Sequence, residues 1–279
     1  MNEPDYKWLT ELGQLLWARK DQIARNLVEL RDWLFPRKKA GILIIGPGGV
    51  GKSTTARFLS GEFTSPTEVP GKYDESLGLE VYPLDDDPRV ELVVPPGQKH
   101  RRDATWNELE RTISDGGYRG IILTCSFGYH SMGQYSYKDH GLYKGRLDEF
   151  MVAFLNDCRK EELAVLNRLS PHFCANDRKF WVLTLVTKQD LWWDNRSTVE
   201  SHYREGKYAD AMEQIAKRIG AANFRHEAVF ASLVISNFVT GNGELLAETV
   251  AGYDQNLQAE SLLRFIAVLD GLRHWEEKK

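Results

Sequence analysis

Residues 40 to 54, Ala-Gly-Ile-Leu-Ile-Ile-Gly-Pro-Gly-Gly-Val-Gly-Lys-Ser-Thr, carry an apolar strand straight into GxxxxGK[ST], and no other stretch limits the possible folds as tightly. Gly46, Gly48, Gly49 and Gly51 let the backbone curl until successive N–H groups point inward at a polyphosphate, an approach that Cβ atoms would obstruct. In such a loop the backbone of Val50 and Thr54 belongs to the grip, Lys52 places a point charge on the β- and γ-phosphates, and Ser53 offers a hydroxyl to Mg²⁺. The helix that opens there adds its positive N-terminal end. A Gly-rich turn with an accidental match is the bland reading, and it requires strand, loop, Gly-Lys-Ser and helix to coincide.

The second signal concerns the base. Residues 179 to 190, Lys-Phe-Trp-Val-Leu-Thr-Leu-Val-Thr-Lys-Gln-Asp, form another buried-type strand ending in Thr187-Lys188-Gln189-Asp190. This resembles the [NT]KxD guanine-specificity motif of the GTPases. The resemblance implies that Asp190 accepts from guanine N1–H and the 2-amino group, while the stem of Lys188 lies against base or ribose. Adenine lacks the matching donors and would leave the carboxylate unpaired, which is costly. Further on, Glu227 to Ser236 reads as a strand, and Ser236-Asn237-Phe238 resembles the Ser-Ala-Lys element whose backbone contacts guanine O6. An ordinary strand-end turn is the other reading of those three residues.

The order of these pieces resembles the Ras-like small GTPases of the P-loop NTPase superfamily, over most of residues 38 to 270. Before the second switch, Arg89 to Val94 reads as a strand followed by Pro95-Pro96-Gly97-Gln98, where the family shows Asp-x-x-Gly-Gln. Gly97 and Gln98 match, and Val94 stands at the aspartate. The Pro-Gly-Gln variant resembles the bacterial gliding-polarity GTPases of the MglA type. By this likeness Gly97 supplies the N–H that senses the γ-phosphate, and Gln98 orients the hydrolytic water, Lys52 being the third catalytic group. A solvent-facing glutamine at a helix start is the alternative for Gln98. For the first switch, Tyr73-Asp74-Glu75-Ser76 resembles Tyr-Asp-Pro-Thr and puts Ser76 beside Ser53 as a metal ligand, with Thr64 and Thr67 competing.

The expected fold is α/β, a doubly wound, six-stranded, mostly parallel sheet, with residues 1–37 as an N-terminal helical extension and 38–279 as the GTPase domain. Strands are expected near 40–45, 78–84, 89–94, 119–127, 179–187 and 227–236, the second antiparallel. Helices are expected near 51–60, 103–115, 145–169, 198–219 and 243–270. In the extension, Trp8, Leu12, Leu15, Leu16, Ile23, Leu27, Leu30 and Leu34 recur at helical spacing. That helix either packs on its own domain or binds a partner. The loop Tyr129 to Lys144, crowded with Tyr and His, is the other candidate surface for a protein effector or regulator, and a self-packed insertion is its bland reading.

Composition excludes several classes. A formal net charge of −4 over 279 residues gives no general drive toward nucleic acid. There is no 18-residue apolar run, signal peptide or prenylation box, and Asn2 replaces the glycine that myristoylation needs, so a cytoplasmic protein is expected. The three cysteines are widely spaced and suit reduced thiols. The expectation is therefore a Mg²⁺-dependent protein that binds GTP and GDP, hydrolyses GTP slowly without a partner and acts as a regulatory switch. A GTP-binding scaffold with little turnover, or an ATP-using P-loop enzyme, are the competing classes.

Overall fold

A computed structural model of the chain describes residues 41–62, 78–84, 87–133 and 136–277. Six strands, β1 (Gly41–Ile45), β2 (Glu80–Leu84), β3 (Asp87–Val94), β4 (Tyr118–Cys125), β5 (Phe180–Val186) and β6 (Phe224–Phe230), make one sheet in the order β2-β3-β1-β4-β5-β6. All neighbours are parallel except β2 and β3, which form a tight antiparallel hairpin. This is the doubly wound, six-stranded, mostly parallel sheet expected from the sequence, with its second strand antiparallel. The strands at the centre read as continuous apolar runs because both faces are covered by helices.

Successive residues of each strand point to opposite faces, which splits the core in two. Leu43, Ile45, Ile121, Leu123 and Val182 meet Trp106, Leu169, Phe173 and Met212 from α2 (Lys99–Ser114), α3 (Leu147–Ala175) and α6 (Lys207–Ile219). On the other face Ile42, Ile44, Ile122, Leu183 and Leu185 meet Ala56, Leu59, Phe265 and Leu269 from α1 (Lys52–Leu59) and α7 (Gln255–Glu277). A short α4 (Gln189–Trp192) and α5 (Arg196–Arg204) complete the helices among the described residues.

Several boundaries differ from the sequence expectation, each for a local reason. β6 pairs with β5 from Phe224 opposite Phe180 to Phe230 opposite Val186, so it ends where its only partner ends and does not reach Ser236. The helix expected over 198–219 is two, α5 and α6, because Gly206 adopts an extended conformation between them. The helix expected from 243 starts at Gln255, where Asp254 accepts from the N–H groups of Asn256 and Leu257 at 2.9 and 3.0 Å. The intervening chain instead makes a small hairpin of β7 (Phe238–Val239) and β8 (Leu245–Ala247), closed by Gly243 N–H donating to Thr240 O at 2.9 Å. α3 continues past Pro171 to Ala175, since the proline lies on the exposed side and Phe173 is fully buried against Phe180. α2 begins at Lys99 rather than 103.

The N-terminal extension, Ser76, Thr64 and Thr67 lie outside the described residues, as do Asp85 and Asp86. No described helix is long and apolar enough to cross a membrane.

The burial phase of α3 gives a direct test. Phe173→Ala should destabilise the protein by about 3–5 kcal/mol in urea denaturation, whereas Val152→Ala, on the same helix but 63% exposed, should change stability by less than about 0.5 kcal/mol.

Candidate functional site

The loop after β1 is pressed from two sides by other loops at the carboxyl ends of the parallel strands. Gly49 has φ +73°, and a Cβ there would lie 2.5 Å from the Ser131 nitrogen, whose N–H donates to Gly49 O at 3.0 Å. Both the left-handed conformation and the close approach require glycine. Lys52 is buried and donates from Nζ to Pro47 O at 2.8 Å. Gly97 closes the other side, because a Cβ on it would lie 2.5 Å from Pro47 O and would collide with Lys52 Nζ. The glycine of the Pro-Gly-Gln sequence is thus fixed by packing against the loop it follows in the expected order.

That close approach has an anchor the sequence did not reveal. Trp106, fully buried on α2, donates its indole N–H to Pro96 O at 3.0 Å. Gln98 is the residue that caps α2, and its side chain lies against Gly48 and lines the same cavity as Lys52. Val94 is fully buried in the apolar layer under α1, so the strand end contributes no polar atom at that position.

The guanine-type motif is joined to the phosphate-type loop by one hydroxyl. Thr187 Oγ1 lies 2.7 Å from Val50 O and 3.0 Å from Cys125 O, bridging the loop after β1 and the end of β4. Trp192, also buried, donates its indole N–H to Thr187 O at 2.9 Å. Lys188 has φ +59° and donates from Nζ to Tyr129 O at 2.5 Å and to Ser131 Oγ at 3.0 Å. Burial pushes its pKa down to about 8, against the pull of Asp190. The ammonium stands over the Phe238 ring, 5.5 Å from its centroid.

Asp190 is 1% exposed and is held by both oxygens. Ser232 Oγ donates to Oδ1 at 2.5 Å, and Oδ2 accepts from Ser236 N–H at 3.1 Å and Thr249 Oγ1 at 3.4 Å. Burial raises its pKa, and the bonds from Ser232 and Ser236 oppose that shift. Ser236 therefore reaches Asp190 through its backbone, while the side chains that do so, Ser232 and Thr249, are not singled out by the sequence. The apolar run around Ser232 reads as strand, and nothing in it distinguishes the serine that turns toward the carboxylate.

A buried charge supports the loop under Lys188. Glu162 on α3 accepts at Oε1 from Ser126 N–H at 2.9 Å and Gly128 N–H at 3.2 Å, faces His130 Nε2 at 3.1 Å, and receives Tyr203 O–H at Oε2 at 2.5 Å. Burial alone would raise its pKa, but the bonds to His130, Tyr203 and Ser126 hold it below the usual carboxylate value. The aromatic remainder of the Tyr129 to Lys144 loop packs inward: Tyr137, His140 and Tyr143 surround Phe150 of α3.

These elements enclose a cavity of about 900 Å³. From the phosphate-type loop and its helix it is lined by Gly49, Gly51, Lys52, Ser53 and Thr54, and from the Pro-Gly-Gln segment by Gly97 and Gln98. At the far end stand Thr187, Lys188, Asp190, Ser236, Asn237 and Phe238. Gly46, Gly48 and Val50 sit behind this wall, with Val50 fully buried. The sequence did not foresee Glu80 and Tyr82 on β2, Leu233 and Val234 after β6, or the β7–β8 turn from Val239 to Gly243, all of which also face the cavity.

No protein-family model matches the chain. No curated protein matches it either. Among solved structures it is similar to the ADP ribosylation factor-like GTP-binding protein, or small COPII coat GTPase SAR1, of Encephalitozoon cuniculi in complex with GDP: 14% identity, 98% of this chain and 96% of that one, TM-score 0.42. It is also similar to the mammalian SRP receptor, at 13% identity over 69% of this chain and 91% of that one, TM-score 0.39. A third is the signal recognition particle receptor SRb-GDP of Chaetomium thermophilum, at 12% identity over 71% and 90%, TM-score 0.36. Scores this low leave the cavity's own residues as the basis for assigning its ligand.

The Thr187 bridge makes a testable claim about how the two ends of the cavity are joined. Thr187→Val keeps shape but removes the hydroxyl that bridges the Val50 and Cys125 carbonyls, of which Cys125 O keeps the Thr187 N–H, and should cost about 1–3 kcal/mol by chemical denaturation. Thr187→Ser, which retains the hydroxyl, should cost clearly less.

Proposed function

We propose that this chain binds GTP and GDP, hydrolyses GTP, and acts as a regulatory switch. The observation that carries the reading is the single cavity with a glycine-rich, lysine-bearing loop at one end and a doubly anchored, buried carboxylate at the other, linked through Thr187. A carboxylate has about four acceptor positions. Ser232 and Ser236 hold Asp190 from the protein side with one bond to each oxygen, and if the long 3.4 Å Thr249 contact is given up, two positions remain for the two donors of guanine, N1–H and the 2-amino group. Lys188 and Phe238 offer flat and cationic surfaces beside the base.

At the opposite end, the N–H groups leading into α1 and the Lys52 ammonium take the β- and γ-phosphates. Ser53 is the described hydroxyl suited to Mg²⁺, and Ser76 belongs to the proposal as the first-switch ligand. Mg²⁺ bound there would neutralise charge developing on the phosphate oxygens. Gly97 contributes its backbone N–H toward the γ-phosphate, and Gln98 orients the attacking water. Loss of the γ-phosphate removes what those groups hold, and a protein partner reads the difference. The partner-facing segments offered by the sequence are the Tyr129 to Lys144 loop and the N-terminal stretch.

A second reading, a GTP-binding scaffold with negligible turnover, is favoured by one feature: Val94 is apolar and buried where the related motif has aspartate.

Binding measured by calorimetry should favour GDP and GTP over ADP and ATP by roughly 10³-fold or more. Asp190→Asn should weaken guanine nucleotides and improve xanthine nucleotides relative to them, because an amide presents a donor to the xanthine carbonyl. The Ser232 hydroxyl can reverse to accept from that amide, so the fold should survive. Equal affinity for ATP and GTP in the unaltered protein would sink the assignment.

Turnover is tested separately. Gln98→Leu should reduce single-turnover hydrolysis by roughly 10²-fold or more without loosening GTP binding. Unaltered protein that binds GTP but never turns it over, alone or with cell extract, would favour the scaffold.

A further inference from the structure

The buried Val94 leaves the end of β3 without a carboxylate, but the neighbouring strand brings one to the same place. β2 runs antiparallel to β3, with Glu80 opposite Val94 and Tyr82 opposite Leu92. Residues directly opposite in an antiparallel pair project to the same face of a sheet. Val94 and Leu92 point into the layer beneath α1, so Glu80 and Tyr82 leave the sheet on the side where α1 opens with Ser53. Tyr82 packs on that layer and donates its hydroxyl to Glu80 Oε2 at 2.7 Å. Glu80 and Tyr82 thus stand on the side of the sheet where Ser53 opens α1. All three line the cavity together with Gly97 and Gln98.

We propose that Glu80 supplies the carboxylate for the divalent cation held by Ser53 and the phosphates, standing in for the missing group at Val94, with Tyr82 fixing its orientation. The inference rests on the Mg²⁺·nucleotide reading above. Strands lie about 4.8 Å apart, so a carboxylate launched from β2 must reach further back than one at the end of β3. Glutamate supplies one more methylene than aspartate, and Mg²⁺ keeps several of its waters, so a carboxylate can act through one of them. No cluster of three or more metal-ligating acidic, histidine or cysteine side chains stands among the described residues, as suits a cation held chiefly by phosphate and water.

The assignment separates metal from nucleotide, and the experiment reads both. Release of a fluorescent N-methylanthraniloyl GDP would be followed as free Mg²⁺ is titrated, for the unaltered protein, Glu80→Gln and Tyr82→Phe. Glu80→Gln should raise the half-saturating Mg²⁺ about 10-fold or more, and Tyr82→Phe by a smaller factor in the same direction. Release rates in excess chelator should match across all three, since the groups act on the cation alone. Mn²⁺·GDP complexes should show an altered electron-spin-resonance line width in Glu80→Gln. An unchanged Mg²⁺ requirement in Glu80→Gln, with nucleotide still bound, would overturn the role of Glu80 and leave the nucleotide reading intact. Absence of any Mg²⁺-dependent nucleotide binding in the unaltered protein would overturn both.

Discussion

The hydroxyl of Thr187 is the point at which this molecule becomes a site as well as a sheet. It sits at the end of β5, next to the edge strand β6, and reaches carbonyls that belong to the loop after β1 and the end of β4. Three adjacent strand ends are therefore locked at one atom. Trp192 holds the carbonyl of the same residue from behind, so Thr187 is bonded on both its side chain and its backbone. In a parallel sheet the carboxyl ends of the strands already converge on one edge. The Thr187 contacts turn that convergence into fixed spacing between the glycine-rich loop after β1 and the Asp190 end of the cavity, about as rigidly as hydrogen bonds allow.

Rigidity at that edge depends in turn on a buried ion. Loops rarely lie deep in a protein because their N–H groups need partners. The turn after β4 is an exception, since the carboxylate of Glu162 rises from α3 to receive its N–H groups, with Tyr203 and His130 completing the shell. On the outer side of the same turn, the Tyr129 carbonyl and Ser131 take Lys188, and Ser131 N–H takes Gly49. The charged group is thus one layer removed from the cavity, yet every element of the base end leans on what it holds. Taking away one partner of such a buried ion leaves an uncompensated charge, the most damaging kind of change in an interior.

What the sequence made legible follows from the range of the forces involved. The loop from Gly46 to Thr54 and the Thr187 to Asp190 motif are local patterns, and their chemistry is written in consecutive residues. The sheet with one antiparallel hairpin was accessible because strand and helix alternate visibly. Long-range contacts were not. Glu162 sits in a Glu-Glu pair on a long helix, a pattern typical of a solvated face, and only the fold shows four groups converging on it. The run from Val229 to Ser236 is rich in β-branched and aromatic residues, so it reads as strand, while pairing with β5 stops at Phe230 and Ser232 is drawn aside by Asp190. The sequence places a helix start near 243, whereas the left-handed Gly243 closes a hairpin over the cavity and the helix waits for Asp254.

The indole of Trp106 has a mechanical consequence. It pins the Pro96 carbonyl to α2, and Gln98 is the residue from which α2 begins. Pro96, Gln98 and the first turns of the helix therefore belong to one lever, not to a slack strap beside the cavity. Arg168 lies over the same indole and grips Glu110 of α2 at 2.5 Å, tying that lever to α3. A displacement of Gln98 cannot be absorbed as local loop motion. It tilts α2 as a body and is delivered, through Glu110 and Arg168, to the long α3 packed beside it on the same face of the sheet.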